Sequence, residues 1–237
     1  MNSISVPILA TLFFAVLLNN PVIAQQGEIN QAQRSNASDC KCPENIYTSS
    51  APNQVFTYSN GKKIVACGYV MDEQQPDVLS EFVLAECETD TVIDFWGAMT
   101  ISRLAFKQDT LFVQELYELP IGDDFKSREI VWTIEKFSYN GSQLMREKRV
   151  NHDLILYDDN TIKKVLERYK AADDVLNDDK MLLADQLFTA ALSGHTKAKS
   201  AFLGFHQRFP ALSGAYLQQY RILTEMLTAW EKEDEAL

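Results

Sequence analysis

TVIDFWGAMTISRLAFKQDTLFVQELYELP, residues 91–120, is the densest run of β-branched and aromatic side chains in the molecule, and its reading decides the fold. Val, Ile, Thr, Phe, Trp and Tyr suit a pleated, half-buried surface better than a helix. Gly97 and the pair Gln108-Asp109 punctuate the run, which reads as three strands over 92–96, 99–107 and 110–119. Connections that short join only antiparallel neighbours.

The same pattern extends on both sides. Residues 55–71 place Asn60-Gly61 between VFTYS and KKIVACGYVM. Asn and Gly both accept the positive φ that a tight hairpin turn demands, so this segment is a β-hairpin. Residues 72–77, which contain Pro76, read as a polar connection, and 79–87 resumes strand character. Beyond a polar loop at 120–128, residues 129–139 and 142–150 form a second hairpin over Asn140-Gly141, and 153–157 offers one more strand. About eight short strands with a turn signal every 8 to 12 residues or so predict a sandwich, an open barrel or a curved meander.

Near residue 158 the period changes from two to 3.6. Asp158-Asp159-Asn160 supplies acceptors for the open amides of a helix start. Ile162, Val165, Leu166 and Tyr169 then share one helical face. A second helix starts on the caps Asn177-Asp178-Asp179, buries Ala184, Leu187, Phe188, Ala191 and Leu192, and ends at Ser193-Gly194. A third carries Ala198, Ala201, Phe202, Phe205 and Phe209 and stops at Pro210; a fourth runs from about Leu212 through Tyr216, Tyr220, Leu223, Leu227 and Trp230. Short loops make these about four helices antiparallel neighbours. The expected class is α+β. Ala198, Phe202 and Pro210 give residues 182–210 a faint resemblance to one tetratricopeptide unit, but a solitary unit cannot bury its own faces, and an ordinary helical hairpin is the reading adopted.

Residues 6–18 are uncharged and apolar, too short for a membrane span of about 20 residues. Asn19-Asn20-Pro21 and Val22-Ile23-Ala24 follow, and together residues 1–24 read as a secretory signal, although no Lys or Arg precedes Val6. Residues 25–39, rich in Gln, Asn and Ser, read as a disordered leader. This leaves a β domain over 40–157 and a helical segment over 158–237, with no membrane span and a secreted or periplasmic location. In that oxidising setting Cys40, Cys42, Cys67 and Cys87 are expected to be disulfides. A bridge between Cys40 and Cys42 would be strained, so each is expected to reach a different one of Cys67 and Cys87.

The net charge of −11 argues against a nucleic-acid partner. Arg146, Lys148 and Arg149 are interrupted by Glu147 and read as an exposed strand face. No metal-binding spacing, phosphate loop or nucleophile motif occurs, and His152, His195 and His206 are scattered. No cofactor, metal or catalytic residue is assigned. One constellation remains: Asp94, Glu115 and Glu135 lie on strands near Trp96 and Trp132, as a carbohydrate site would require. The alternative is solvent-facing carboxylates and core indoles. The sequence thus predicts a non-enzymatic binding or interaction module, with a protein partner met through the helical segment. The runner-up is a glycan-active hydrolase or carbohydrate-binding module using Asp94, Trp96, Glu115 and Trp132.

Overall fold

The computed structural model describes residues 40–44, 51–87, 89, 91–154, 157–173 and 176–234. The signal and leader readings, and two residues of the possible strand at 153–157, lie outside them. Seven strands form one antiparallel sheet in sequence order: β1 Gln54–Thr57, β2 Lys63–Asp72, β3 Gln75–Glu86, β4 Val92–Lys107, β5 Thr110–Pro120, β6 Ser127–Asn140 and β7 Gln143–Val150. Five helices follow: α1 Asp159–Ala171, α2 Asn177–Leu192, α3 Thr196–Leu203, α4 Phe205–Arg208 and α5 Gly214–Asp234. The class is α+β, and the sheet is a curled meander, a half-barrel rather than a sandwich.

Three expectations need correction. Residues 92–107 are one strand, not two. Phe82 pairs with Trp96 and Ser80 with Ile101, so residues 97–100 bulge against the single residue Glu81 and the ladder resumes beyond them. Residues 72–77 are not a loop either, because Asp72 pairs with Gln75 and only two residues turn. Pro76 is tolerated because β3 has no β4 partner before Val78, so its missing N–H breaks no central ladder. Finally, the third helix is divided at Gly204 into α3 and α4, and Phe202, Phe205 and Phe209 all still turn inward.

The helix starts follow different rules. Asp158 caps α1 through a 2.8 Å bond accepted from the Thr161 amide. In α2 the residue before the helix is Leu176, which gives no side-chain cap; Asp178 and Asp179 sit in the first turn, where the helix dipole favours negative charge.

Side chains of β5 show how the core is divided. Leu111, Val113, Glu115, Tyr117 and Leu119 alternate onto one face. Leu111 and Val113 belong to a core inside the curl, with Phe56, Phe82, Trp96, Leu104 and Phe137. Leu119 belongs to a second core, which joins the far end of the sheet to the helices and against which Tyr117 packs. There Trp132 lies 5.8 Å from Trp230 and 6.1 Å from Phe188. The apolar faces of the helices are therefore spent on the sheet and on one another.

The seam of the half-barrel is closed by side chains. β1 and β7 are not paired. Instead the Tyr58 hydroxyl donates to the Phe137 carbonyl, Asn60 Nδ2 donates to the Gly141 carbonyl, and Tyr139 donates to Glu86 across the gap. Ser59 adds two 2.7 Å bonds to Asp109, so the hairpin tips are stitched together at one end.

A third, smaller core holds the disulfides, Cys40–Cys87 and Cys42–Cys67, with Val65, Val83 and Ala85. Each close-spaced cysteine reaches a different one of Cys67 and Cys87, as expected, and the bridges clamp the front segment to the outer face of β2 and to the turn just after β3. They close loops across 47 and 25 residues. Replacing Cys42 and Cys67 together by Ser is expected to cost about 2–4 kcal/mol by urea denaturation, since the unfolded chain regains the freedom that the bridge removes. Unchanged stability would show that the loop is held by packing alone.

Candidate functional site

Two surfaces of the sheet carry unusual side chains. The first is a polar band across the inner face, between the two cores. It is assembled from Ser102 on β4, Glu115 on β5, Thr133 and Glu135 on β6, and Arg146 and Lys148 on β7. Ser102 and Thr133 both stand opposite Glu115, and Lys148 stands opposite Glu135. Arg146 joins the buried Glu135 to Asp94, which reaches it from β4, and its guanidinium lies 5.5 Å over the Phe137 ring. Lys148 Nζ sits 2.7 Å from Glu115 Oε1.

The sequence candidates divide between places. Asp94, Glu115 and Glu135 do share this band, each with a basic partner. Trp96 is 6% exposed and stacks face to face on Phe82 at 4.7 Å. Trp132 is 7% exposed and lies in the helix-side core. The two indoles belong to different cores and neither presents an open face on which a sugar ring could stack. Arg146 and Lys148, which read as an exposed strand face, are the counter-charges of the inner carboxylates; Glu135 lies on the neighbouring strand of the same hairpin, whereas Asp94 and Glu115 are 52 and 33 residues away from their partners.

The histidines are also apart: His152 lies 4.1 Å from the Trp230 ring, His195 Nδ1 accepts the Ala198 amide at the start of α3, and His206 neighbours Tyr220. Among the described residues no three His, Cys, Asp or Glu side chains gather as a metal site, and no helix is long and apolar enough to cross a membrane.

Where β5 meets α2, burial pushes the Asp185 carboxyl up to about 7, against a hydrogen bond from Gln219 that lowers it. Burial, reinforced by Asp185, also pushes the Tyr117 hydroxyl up to about 12. Because the folded protein keeps the Asp185 proton to a higher pH than the unfolded chain does, this group costs no stability near pH 4. The penalty grows from there to about pH 7 and is complete above it. Asp185→Asn is expected to gain roughly 2 kcal/mol at pH 8 and almost nothing at pH 4, about half of what full burial of the charge would give, because the side chain keeps some solvent. Thermal melts at both pH values read the difference, and an equal gain at both would remove the titration argument.

The second surface is the outer face of β2–β4. Tyr69, Ser80 and Ile101 form one cross-strand row, and Cys67, Val83 and Phe95 form another. Met71 follows Tyr69 on the same side of β2, and the bulge in β4 lifts Met99 out to 86% exposure. Of the eleven large hydrophobic side chains exposed among the described residues, seven lie on β2 and β4: Tyr69, Val70, Met71, Val92, Phe95, Met99 and Ile101. Residues 64–102, which supply this face, contain eight carboxylates and no Lys or Arg; of these, Asp94 turns to the inner band and Asp77 pairs with Arg103. That charge run was visible in the sequence; its coincidence with an exposed apolar strip was not, because it depends on the bulge at 97–100. No known protein family, curated protein or solved structure matches the chain.

Proposed function

We propose that this chain is a non-enzymatic binding protein that works outside the cytoplasm and takes a cationic polypeptide, anchored by apolar side chains, on the outer face of β2–β4. The observation that carries the reading is the apolar set Tyr69, Met71, Val92, Phe95, Met99 and Ile101, exposed within a stretch, 64–102, that contains eight carboxylates and no base. Contiguous exposed apolar surface on a soluble domain marks an interaction site. The acidic surround selects basic partners and speeds their encounter. The two disulfides are consistent with an oxidising compartment. The helical segment is the weaker candidate for partner contact, since its apolar faces are covered and, among the described residues, only Leu176, Leu182 and Leu203 stand out from it and its loops.

Matched amphipathic peptides, one set Lys-rich and one Glu-rich, titrated calorimetrically against the protein, test this reading. The Lys-rich set is expected to bind, with affinity falling as salt rises and dropping about tenfold in a Tyr69→Ser/Met99→Ser variant, a loss of about 1.4 kcal/mol. Equal binding of the two sets, or none by either, would remove the proposal. The glycan-active alternative gains nothing from Trp96 and Trp132, whose rings are covered by protein.

A further inference from the structure

The dipeptide Asn-Gly occurs twice in the chain, at 60–61 and 140–141, each time at a hairpin tip. Exposure does not separate the two copies, since all four residues are exposed. Hydrogen bonding does. Asn60 Nδ2 donates to the Gly141 carbonyl at 2.8 Å, Asn60 Oδ1 accepts the Lys62 amide at 3.0 Å, and the Gly61 amide donates to the Tyr58 carbonyl at 3.0 Å. At the second copy, among the described residues, neither the Asn140 side-chain amide nor the Gly141 N–H has a hydrogen-bond partner. Gly141 sits at φ +61°, and nothing stands within 4 Å of where its Cβ would be, so the tip has room to rearrange.

We propose that Asn140 is a site of spontaneous covalent modification, where attack by the Gly141 amide nitrogen on the side-chain carbonyl converts it to aspartate and isoaspartate, while Asn60 is preserved by its hydrogen bonds. The reacting groups belong to adjacent residues, so the step is intramolecular. Glycine suits it, having no side chain to crowd the nitrogen and a backbone that turns freely. A bond forms between the Gly141 nitrogen and Asn140 Cγ as the bond from Cγ to Nδ2 breaks; the Gly141 nitrogen gives up its proton, and Nδ2 leaves as ammonia. One water then opens the five-membered succinimide. Opening at Cγ gives aspartate, and opening at the original backbone carbonyl gives isoaspartate. No oxidant or reductant enters. Asn60-Gly61 must first release three bonds, each of which holds back the rate roughly fivefold.

The modification falls on the seam of the half-barrel. β1 and β7 are not paired, and the Gly141 carbonyl is the acceptor through which Asn60 joins the two hairpin tips. Isoaspartate inserts one carbon into the main chain immediately before Gly141. That shift moves the carbonyl away from Asn60 and distorts the closing pair of the hairpin, Asn140 with Gln143. Aspartate keeps the chain length and adds only a charge, so its effect on the seam is smaller. The inference concerns the β6–β7 tip alone and does not rest on the partner reading.

The test incubates the full chain at pH 8, folded in buffer and unfolded in guanidinium chloride. Peptide mass spectrometry with electron-transfer fragmentation, which distinguishes aspartate from isoaspartate, follows both positions over time. In the folded protein Asn140 is expected to convert at least tenfold faster than Asn60, and in the unfolded chain the two are expected to agree within about twofold. Conversion at Asn140 is expected to rise with pH, because the deprotonated nitrogen attacks. The isoaspartate fraction, separated by ion exchange, is expected to melt several degrees below fresh protein, and Asn140→Asp to melt close to it. Equal rates at the two positions in the folded protein, faster loss of Asn60, or an intact Asn140 over a period that converts the unfolded chain would each overturn the proposal. An isoaspartate fraction that melts with fresh protein would overturn its consequence for the seam.

Discussion

Gly68→Ala is expected to destabilise the protein by at least about 3 kcal/mol, more than any surface substitution. A Cβ at residue 68 would stand 2.3 Å from Phe82 Cβ, 2.6 Å from its Cα and 2.7 Å from the Glu81 carbonyl oxygen. None of these atoms is the end of a flexible side chain, so relief requires the β2 and β3 backbones to separate. Phe82 cannot give way, because it is fully buried and its ring is pinned flat against Trp96. The site is also where β3 carries its extra residue, Glu81, in a left-handed conformation with φ +49°. Opening the strands there would disturb the bulge that creates the outer apolar strip. The urea midpoint measures the loss, and a change below about 1 kcal/mol would mean that the two strands approach less closely than described.

Removing Arg146 is the second large effect. Arg146→Met leaves Glu135, 2% exposed, as a buried carboxylate without its cation, and breaking a buried pair from one side costs about 3–5 kcal/mol. The double variant Arg146→Met/Glu135→Leu is expected to recover most of that loss, since an apolar pair avoids the desolvation of both charges. The cycle therefore separates the worth of the pair from the penalty of an orphaned carboxylate. Equal losses in the single and double variants would show that Arg146 acts by packing on Phe137 and bridging to Asp94, rather than by neutralising Glu135.

How far the sequence could be read depended on how local each signal is. Asn60-Gly61 and Asn140-Gly141 specify their hairpins within a few residues, and the helical face of Ile162, Val165, Leu166 and Tyr169 repeats within two turns. Gly97 misled because a glycine between strands and a glycine entering a bulge look alike; only pairing with β3 distinguishes them. Arg146 and Asp94 are 52 residues apart, and their contact depends on the curl of the whole sheet. Trp96 and Trp132 likewise have similar strand surroundings, yet bulges and the arrival of the helices send them into different cores. The polar band was half legible. Its carboxylates attracted notice, but Ser102 and Thr133 are ordinary strand residues until the register sets them beside Glu115.

Binding on the outer face of β2–β4 is the claim on which the functional account turns, and amide hydrogen exchange of the free protein against its complex with a Lys-rich amphipathic peptide measures it directly. Slowed exchange confined to residues 69–71 and 95–101, with α1, α3 and α5 unchanged, is the predicted result. Slowing on the helices with those strands unaffected would contradict it.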